Sequence, residues 1–229
     1  KPRVMSLVLF TSMVGLLIAP EKVSFTVSII SLFAVAMGAG AAGALNMWYE
    51  SDLDALMTRT CLRPIPTGKV QKKQALWFGI TLSVISITIL YYIANLVSSL
   101  LLATTIGFYF FIYTIWLKRR TPQNIVIGGA AGALPPVIGW AISTNSISIE
   151  SIILFLIIFI WTPSHFWALS LYKSSDYKKA KIPMLPITSG IKTTKINILV
   201  YSLLLAPIVT LPFFFNFGSL AYLTLSSLM

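Results

Sequence analysis

The strongest constraint on this chain is a series of seven continuous apolar segments, each close to the roughly 20 residues that a helix needs to cross about 30 Å of hydrocarbon. The segments cover residues 4–20, 24–48, 75–94, 96–117, 125–143, 149–171 and 196–215, and an eighth begins near residue 218. Barrel strands would alternate apolar and polar residues, and these segments do not. In lipid, a continuous apolar segment satisfies its backbone as a helix. The sequence therefore predicts an all-α, polytopic transmembrane helical bundle.

The amino-acid composition agrees with a membrane protein and excludes a soluble globular domain. Hydrophobic residues make up 57% of the 229 residues and charged residues only 10%, against roughly 25% charged in a soluble domain. One cysteine, Cys61, and one histidine, His165, exclude a disulfide within this sequence and a two-histidine metal centre. No phosphate-binding or dinucleotide-binding glycine pattern occurs in a usable context, so nucleotide hydrolysis and hydride transfer have no support.

The distribution of basic residues predicts the orientation of the bundle, because Lys and Arg collect in the cytoplasmic loops of membrane proteins. Sixteen of the 17 basic residues lie at the N-terminus or in the loops 49–74, 118–124 and 172–195, and only Lys22 lies in an alternate loop. The N-terminus is therefore predicted to be cytoplasmic. This topology also explains the net charge of +11, so no nucleic-acid partner is predicted.

The first candidate site follows the second segment. Asn46, Glu50 and Asp54 are spaced at i, i+4 and i+8, and share one face if the helix continues through them. Carboxylates stacked on one helix face repel each other at the edge of the low-dielectric membrane, so a cation is expected between them. Mg²⁺ suits such oxygen ligands, because it joins one or two carboxylates to substrate phosphates. The open alternative is a solvated helix end whose acids pair with nearby arginines.

Basic residues close to these acids are candidates for binding phosphate. Arg59, Arg63 and Lys69 follow in the same loop, and such side chains pair with the phosphate oxygens that a metal leaves free. The triplet from Lys118 to Arg120 is a candidate for the same role, or else a topology anchor. Gly128 and Gly132 form a small-residue packing motif, for which the glycine-rich stretch 38–43 is the predicted partner.

The second candidate site lies at the end of the sixth segment. His165 is the only histidine, and an ionisable residue within an apolar span is a functional candidate. A hydrogen-bonded structural role for His165 remains equally open. Asp176 stands among six lysines, where a single acid is more often a matter of charge balance.

Three separated stretches resemble the UbiA-type intramembrane prenyltransferases. Asn46, Glu50 and Asp54 fall on the first acidic motif of that family, NDxxDxxxD, with Met47 in place of its first Asp and Glu50 in place of its second. The resemblance is closest to the branch that transfers a farnesyl group to haem b, which has the stretches LKRxTxxN and PHFxAL…KxxDY…IPMLP. His165 stands where other members carry the first Asp of the second acidic motif, and Asp176 is the acid that remains. The family has nine transmembrane helices, so the chain is expected to be a single domain with about seven or eight of them, truncated at both ends.

The resemblance also implies ligands and roles. The partners implied are farnesyl diphosphate, haem b and the lipid bilayer, with Mg²⁺ as cofactor, in the bacterial inner membrane or, less readily, the mitochondrial one. Association with haem A synthase or with terminal oxidase assembly is a further implication. The implied metal ligands are Glu50, Asp52, Asp54 and Asp176, with Asn46 completing the catalytic group. The implied substrate-binding residues are Arg59, Arg63, Lys69, Lys118, Arg119, Arg120, Asn124, His165 and Lys173.

Three other functions are compatible with parts of the sequence. A prenyltransferase with a phenolic or quinone-type acceptor lies within the same superfamily, and only the stretches around His165 and Asn124 argue against it. A transporter would place charged or broken helices at the bilayer midplane, whereas the acids here lie at helix ends or in loops. An assembly factor without catalysis would leave the acidic stack unexplained.

Overall fold

The computed structural model describes residues 1–180 and 182–228, and the regular elements in this part of the chain are all helical. The first seven α-helices are α1 (Pro2–Ile18), α2 (Phe25–Tyr49), α3 (Ser51–Leu56), α4 (Lys72–Ile93), α5 (Leu96–Gly107), α6 (Asn124–Ala133) and α7 (Pro135–Thr144). A π-helical segment, Phe108–Leu117, continues α5. The remaining helices are α8 (Ile149–Tyr172), α9 (Ser174–Lys179), α10 (Leu185–Thr188), α11 (Gly190–Ile208), α12 (Leu211–Phe214) and α13 (Leu220–Ser227).

These helices confirm the helical membrane fold. Six of them are long and apolar enough to cross a bilayer: Phe25–Tyr49, Lys72–Ile93, Leu96–Leu117, Asn124–Thr144, Ile149–Tyr172 and Gly190–Phe214. The first segment forms the shorter helix Pro2–Ile18, and the eighth corresponds to α13. The number of helices in the whole protein and the cytoplasmic N-terminus stay predictions. Lys181, one of the six lysines of the loop 172–195, lies outside the described residues.

Three of the predicted spans contain an internal irregularity, and in the seventh it is the break between α11 and α12, just after Pro207. The fifth is divided at Leu134, since Pro135 and Pro136 open α7. Proline lacks the N–H that a continuing helix needs and is favoured in the first turn of a helix. The fourth changes from α-helix to π-helix at Phe108, a change that no feature of the apolar pattern indicates.

Glycines fix the position of α1 against α7. A Cβ added at Gly15 would lie 2.0 Å from the carbonyl oxygen of Pro136, and one at Gly139 would lie 1.8 Å from that of Ser12. The two backbones therefore touch where no other residue fits, as small residues permit in membrane bundles. This crossing places the start of α1, with Lys1, beside the end of α2, where Lys1 contacts Asn46.

The predicted packing partner of Gly128 and Gly132, the glycine-rich stretch 38–43, is wrong. Gly128 packs on the ring of Tyr113, and Gly132 has no atom within 4 Å of an added Cβ. Gly38, in the stretch expected to receive them, packs instead on Leu102. The motif thus makes room for an aromatic ring rather than for a second glycine-rich helix.

Among the described residues, two clusters of buried apolar side chains pack the helices and loops together. The larger one lies among α1, α2, α4, α5 and α7 and includes Leu16, Val35, Leu90 and Ile138. The smaller one joins the two long basic loops: its members are Met57, Ile125, Trp167, Tyr177, Ala180, Ile182, Met184 and Leu185. The loops after the second and sixth segments are therefore packed against each other, which brings both candidate sites to one end of the bundle.

Candidate active site

The acidic stack after α2 keeps its helical register, although α2 ends at Tyr49. The backbone N–H of Glu50 donates to Asn46 at 2.9 Å, and that of Asp54 donates to Glu50 at 2.8 Å. The bonding pattern therefore continues from α2 into α3 with the i, i+4 spacing intact. Asn46, Glu50 and Asp54 are all buried, whereas Asp52 between them is exposed.

Asn46 forms the centre of a buried polar network. Its Nδ2 donates to Glu50 Oε2 at 2.7 Å and to the hydroxyl of Thr114 at 3.2 Å. Its Oδ1 accepts a hydrogen bond from the ammonium of Lys1. Because Asn46 has both donors and acceptors, it joins a carboxylate on one side to an ammonium on the other.

Glu50 is 1% exposed and pairs with Lys118 through Oε2. Its other oxygen, Oε1, is buried without a hydrogen-bond partner among the described residues. An unpartnered buried carboxylate oxygen carries a large desolvation cost. This oxygen is therefore the atom of the network best placed to take an added cation.

Asp54 pairs with Arg63. A single guanidinium nitrogen, Nη1, donates to both carboxylate oxygens at 2.8 and 2.7 Å. The backbone carbonyl of Asp54 also accepts from the hydroxyl of Thr60 at 3.0 Å, which ties the loop carrying Arg63 to α3. The pairing of Asp54 with an arginine agrees with the open alternative of a solvated helix end, but the stack is buried rather than solvated and Glu50 pairs with a lysine.

Asp52 forms a third pair on the exposed side of α3. Arg119 donates two hydrogen bonds to it, at 3.0 and 2.9 Å, and its guanidinium lies 5.2 Å from the ring centre of Tyr49. Burial opposes ionisation of Asp52 and is the largest single influence, but the backbone hydrogen bonds, the positive charge of Arg119 and the hydrogen bond from Arg119 together lower the pKa of the carboxyl. The same hydrogen bond raises the pKa of Arg119. Such an exposed pair contributes little to stability.

Asp176 lies beside the first loop, although 118 residues separate it from the partner it finds there. It is buried, and Oδ2 accepts from the hydroxyl of Thr58 at 2.7 Å. This hydrogen bond supplements the apolar contacts between the two loops. Asp176 therefore lies close to the loop 49–74, as a site shared by the two candidate regions requires.

The remaining predicted residues have different surroundings. His165 is exposed, and its ring stacks on Trp161 with centroids 4.4 Å apart. Asn124 is fully buried and donates to the carbonyl of Thr121, while its Oδ1 has no partner among the described residues. Four of the predicted substrate-binding residues are exposed and form no ion pair with the described part of the chain: Arg59, Lys69, Arg120 and Lys173.

Sequence reasoning missed four residues of the site. Lys1 was counted only as a topology signal, yet it contacts Asn46 and lies 3.4 Å from the hydroxyl of Tyr109. Burial, and after it the positive charges of Arg63 and Lys118, lowers the pKa of the Lys1 side chain to about 7. Tyr109, Tyr113 and Thr114 face the same network from the π-helical segment. The spacing of these three residues in the sequence gives no signal of this role.

The charges of the site favour an anionic ligand. Three basic side chains, Lys1, Arg63 and Lys118, face two buried carboxylates, Glu50 and Asp54. A surplus of positive charge at the edge of a low-dielectric region attracts and orients an anion. No three Asp, Glu, His or Cys side chains among the described residues lie close enough to hold a metal by themselves. A Mg²⁺ ion does not need such a cluster, because one or two carboxylates suffice when phosphate oxygens complete its shell.

Comparison with known proteins identifies the class that this fold and site define. The model of the UbiA prenyltransferase family matches residues 8–229. The chain belongs to this family of membrane enzymes. It is 71% identical over 223 residues to the protoheme IX farnesyltransferase of Pelagibacter ubique (strain HTCC1062), covering 97% of this chain and 74% of that relative. It is 62% identical over 212 residues to the enzyme of the same name from Ehrlichia ruminantium (strain Gardel), covering 93% and 72%.

Solved structures support the same fold. A UbiA homologue from Aeropyrum pernix K1 matches with a TM-score of 0.83 at 17% identity, over 100% of this chain and 85% of that one. A UbiA homologue from Archaeoglobus fulgidus, bound to GPP and Mg²⁺, matches with a TM-score of 0.78 at 17% identity, over 99% and 80%. In that homologue, a prenyl diphosphate and Mg²⁺ bind to the fold that this chain shares.

Proposed function

We propose that the protein transfers the farnesyl group of farnesyl diphosphate to a vinyl group of haem b, in a Mg²⁺-dependent reaction that gives haem O and releases diphosphate. The observation that carries the choice of acceptor is the 71% identity to a relative named protoheme IX farnesyltransferase. The choice of donor rests on the site itself, together with the GPP and Mg²⁺ bound to the Archaeoglobus homologue.

The donor diphosphate is assigned to the basic side chains around Asn46. Lys1, Arg63 and Lys118 converge there, and each already holds an oxygen of a side chain: Lys1 that of Asn46, Arg63 those of Asp54, and Lys118 that of Glu50. Phosphate oxygens are stronger ligands for these donors than the amide of Asn46, because charge-assisted hydrogen bonds are about twice as strong as neutral ones. On donor binding, the three bases exchange part of these contacts for phosphate.

The residues fit a magnesium ion. Glu50 and Asp54 supply buried, hard oxygens on one face of the α2–α3 region, and Glu50 Oε1 has no other partner among the described residues. When bound, Mg²⁺ would neutralise the diphosphate and stabilise it as a leaving group. Asp52 and Asp176 form the second pair of proposed ligands, and each must give up its partner in this structure, Arg119 or Thr58.

The acceptor is assigned to the region around His165. Its imidazole stacks on Trp161 and is exposed, so a flat, apolar molecule can approach it. Axial coordination of the haem iron and orientation of the ring are the two roles proposed for it. The exposed bases Arg59, Lys69, Arg120 and Lys173, with buried Asn124, are proposed to bind the haem propionates or the outer phosphate oxygens.

The protein is a multi-pass membrane protein, and we place it in the cytoplasmic membrane of a bacterium with its basic loops inside. The positive-inside distribution supports this orientation, and the two relatives described above come from bacteria. Because haem O is the proposed product, haem A synthase and the terminal oxidase assembly machinery are the proposed partners.

The reaction is tested by incubating the purified full-length protein with haem b, farnesyl diphosphate and Mg²⁺, followed by mass spectrometry. We expect a hydroxyethylfarnesyl adduct of haem that EDTA abolishes. Asp54→Asn should form no adduct while remaining folded in the membrane, and Glu150→Gln, an acid in the first turn of α8, serves as the matched control. An adduct only on a phenolic or quinone-type acceptor would overturn the haem assignment and leave prenyl transfer standing.

A further inference from the structure

An open cavity lies between α3 and the start of α4. Its volume is about 340 Å³, near the lower end of the roughly 300–1,000 Å³ that is typical of small-ligand sites. The acidic stack lies outside its lining. The lining comes from α3 and from the residues that lead into α4, and includes Ser51, Asp52, Ile65, Gly68, Gln71 and Lys72. We call this space the α3–α4 cavity.

Ser51 has a buried hydroxyl without a partner. The residue is 5% exposed, and its Oγ makes no hydrogen bond to the described residues. A buried hydroxyl that lacks a partner costs free energy, and folded proteins rarely contain one without a reason. Because Ser51 lines the α3–α4 cavity, a polar atom of a ligand in the cavity can supply the missing hydrogen bond.

The first turn of α4 supplies further unused donors. Gln71 and Gln74 form a capping box, in which Gln74 Oε1 accepts from the backbone N–H of Gln71 at 3.0 Å. The next two backbone N–H groups, those of Lys72 and Lys73, have no partner among the described residues, because the first N–H groups of a helix have no earlier carbonyl to reach. These groups and the helix dipole favour an anion, and phosphate is a frequent ligand at such a position.

The charges around the cavity also favour an anion. Lys69, Lys72 and Lys73 are exposed and form no ion pair with the described part of the chain. Asp52 is the carboxylate in the lining, and Arg119 already donates to both of its oxygens. The entrance of the cavity is therefore positively charged, and such a surface attracts anions.

The lipid-facing side of α4 begins at the same turn. Trp77, Ile80 and Val84 follow Lys73 at i+4, i+7 and i+11, so they share one face with it, and all three are exposed. In a bilayer this face contacts acyl chains, and a tryptophan near the helix end lies at the level of the lipid headgroups. A molecule with a phosphate at the first turn and acyl chains along α4 fits both features, whereas a free phosphate uses only the first.

We propose that the α3–α4 cavity binds the headgroup phosphate of an anionic phospholipid, whose acyl chains lie along the exposed face of α4. This site is separate from the donor site, and it does not depend on the proposed function. The phosphate accepts hydrogen bonds from the backbone of Lys72 and Lys73 and from the hydroxyl of Ser51, and the lysine ammoniums balance its charge. Since Ser51 directly follows Glu50, the bound lipid joins α4 to the end of α2.

The first test measures binding of phosphatidylglycerol to the full-length protein in neutral detergent, by native mass spectrometry. Lys72→Gln should weaken binding about fivefold, and Ser51→Ala about tenfold, because it removes a hydrogen bond to a charged group. Lys192→Gln is the matched control, since Lys192 is an exposed lysine in the first turn of α11 and lies outside the cavity. Equal weakening in Lys72→Gln and Lys192→Gln would assign binding to the basic surface as a whole and overturn the proposal.

Thermal unfolding separates lipid binding from a packing role of Ser51. Without lipid, Ser51→Ala should have a Tm no lower than that of the wild type, because the hydroxyl that it removes has no partner. Phosphatidylglycerol should raise the Tm of both, and the variant should need about ten times more lipid for the same rise. A lower Tm without lipid, together with an unchanged response to lipid, would show that Ser51 serves packing only.

A comparison of three ligands identifies the occupant. Phosphatidylglycerol should raise the Tm more than phosphatidylcholine, whose headgroup carries a compensating positive charge. It should also act at lower concentration than glycerophosphoglycerol, which has the same phosphate without acyl chains. Equal potency of glycerophosphoglycerol would overturn the lipid assignment in favour of a soluble phosphate ester, and equal potency of phosphatidylcholine would overturn the preference for an anion.

Discussion

The ammonium of Lys118 contacts the buried carboxylate of Glu50, 68 residues earlier in the chain. Removing either charge from water is costly, and the pair offsets this cost only while both members are present. The contact also connects the end of the π-helical segment to the end of α2. The orientation of the acidic stack therefore depends on a residue that is distant in sequence.

Breaking this pair should destabilise the protein more than breaking the exposed pair nearby. Lys118→Met leaves the Glu50 charge buried alone, so we expect the free energy of unfolding to fall by about 3 kcal/mol. Arg119→Met is the matched control, and should cost less than about 1 kcal/mol since its partner Asp52 is exposed. Unfolding in detergent measures both.

The double variant Glu50→Gln with Lys118→Met identifies the cause. It removes both buried charges, so most of the lost stability should return. If the double variant were as unstable as the sum of its single variants, the cost would come from lost packing, and the charge pair would not be its origin.

A second expectation concerns the link between the two loops. Thr58→Val removes the hydrogen bond to Asp176 and leaves that buried carboxylate without this donor, which costs stability locally. Backbone amides of α9 and α10 should then exchange hydrogen about tenfold faster, by mass spectrometry. Thr67→Val is the control, because the Thr67 hydroxyl bonds only to backbone carbonyls of its own loop. Equal exchange in the two variants would contradict a role for this link.

The fold was largely predictable from the sequence, because membrane spans depend on local hydropathy. Each of the seven apolar segments corresponds to a helix or a helix pair, as insertion into lipid requires. The alignment of Asn46, Glu50 and Asp54 was also predictable, since it needs only the helical repeat.

Contacts between distant segments were not predictable, because they depend on which helices become neighbours. The spacing of Gly128 and Gly132 shows that something packs closely there, but not that Tyr113 does. Lys1 looks like any basic residue at a membrane surface until α1 crosses α7. The π-helix has no hydropathy signal, so the shared face of Tyr109 and Lys118 could be seen only in three dimensions.

Donor binding should depend on pH through Lys1. Its pKa is lowered to about 7, first by burial and then by Arg63 and Lys118. Diphosphate favours the charged form, so the bound state raises this pKa. Binding should therefore be strongest below pH 7 and weaken by up to about tenfold per pH unit above it. Calorimetry with inorganic diphosphate and Mg²⁺ measures the effect, and Lys1→Arg, which stays charged, should remove it in this range.

His165 should contribute to acceptor binding without affecting the donor. Its imidazole is exposed and stacks on Trp161, so replacing it perturbs little of the buried structure. We expect His165→Ala to keep its thermal stability and its affinity for farnesyl diphosphate, but to bind haem b about tenfold more weakly, with a changed haem absorption band. Loss of one iron ligand or of one stacking surface accounts for an effect of this size.

His165→Phe separates the two roles, because it keeps the stack on Trp161 and removes the nitrogen. Recovered haem affinity indicates stacking, and a loss equal to that of the alanine variant indicates coordination. An unchanged haem spectrum and affinity in both variants would exclude His165 from the acceptor site.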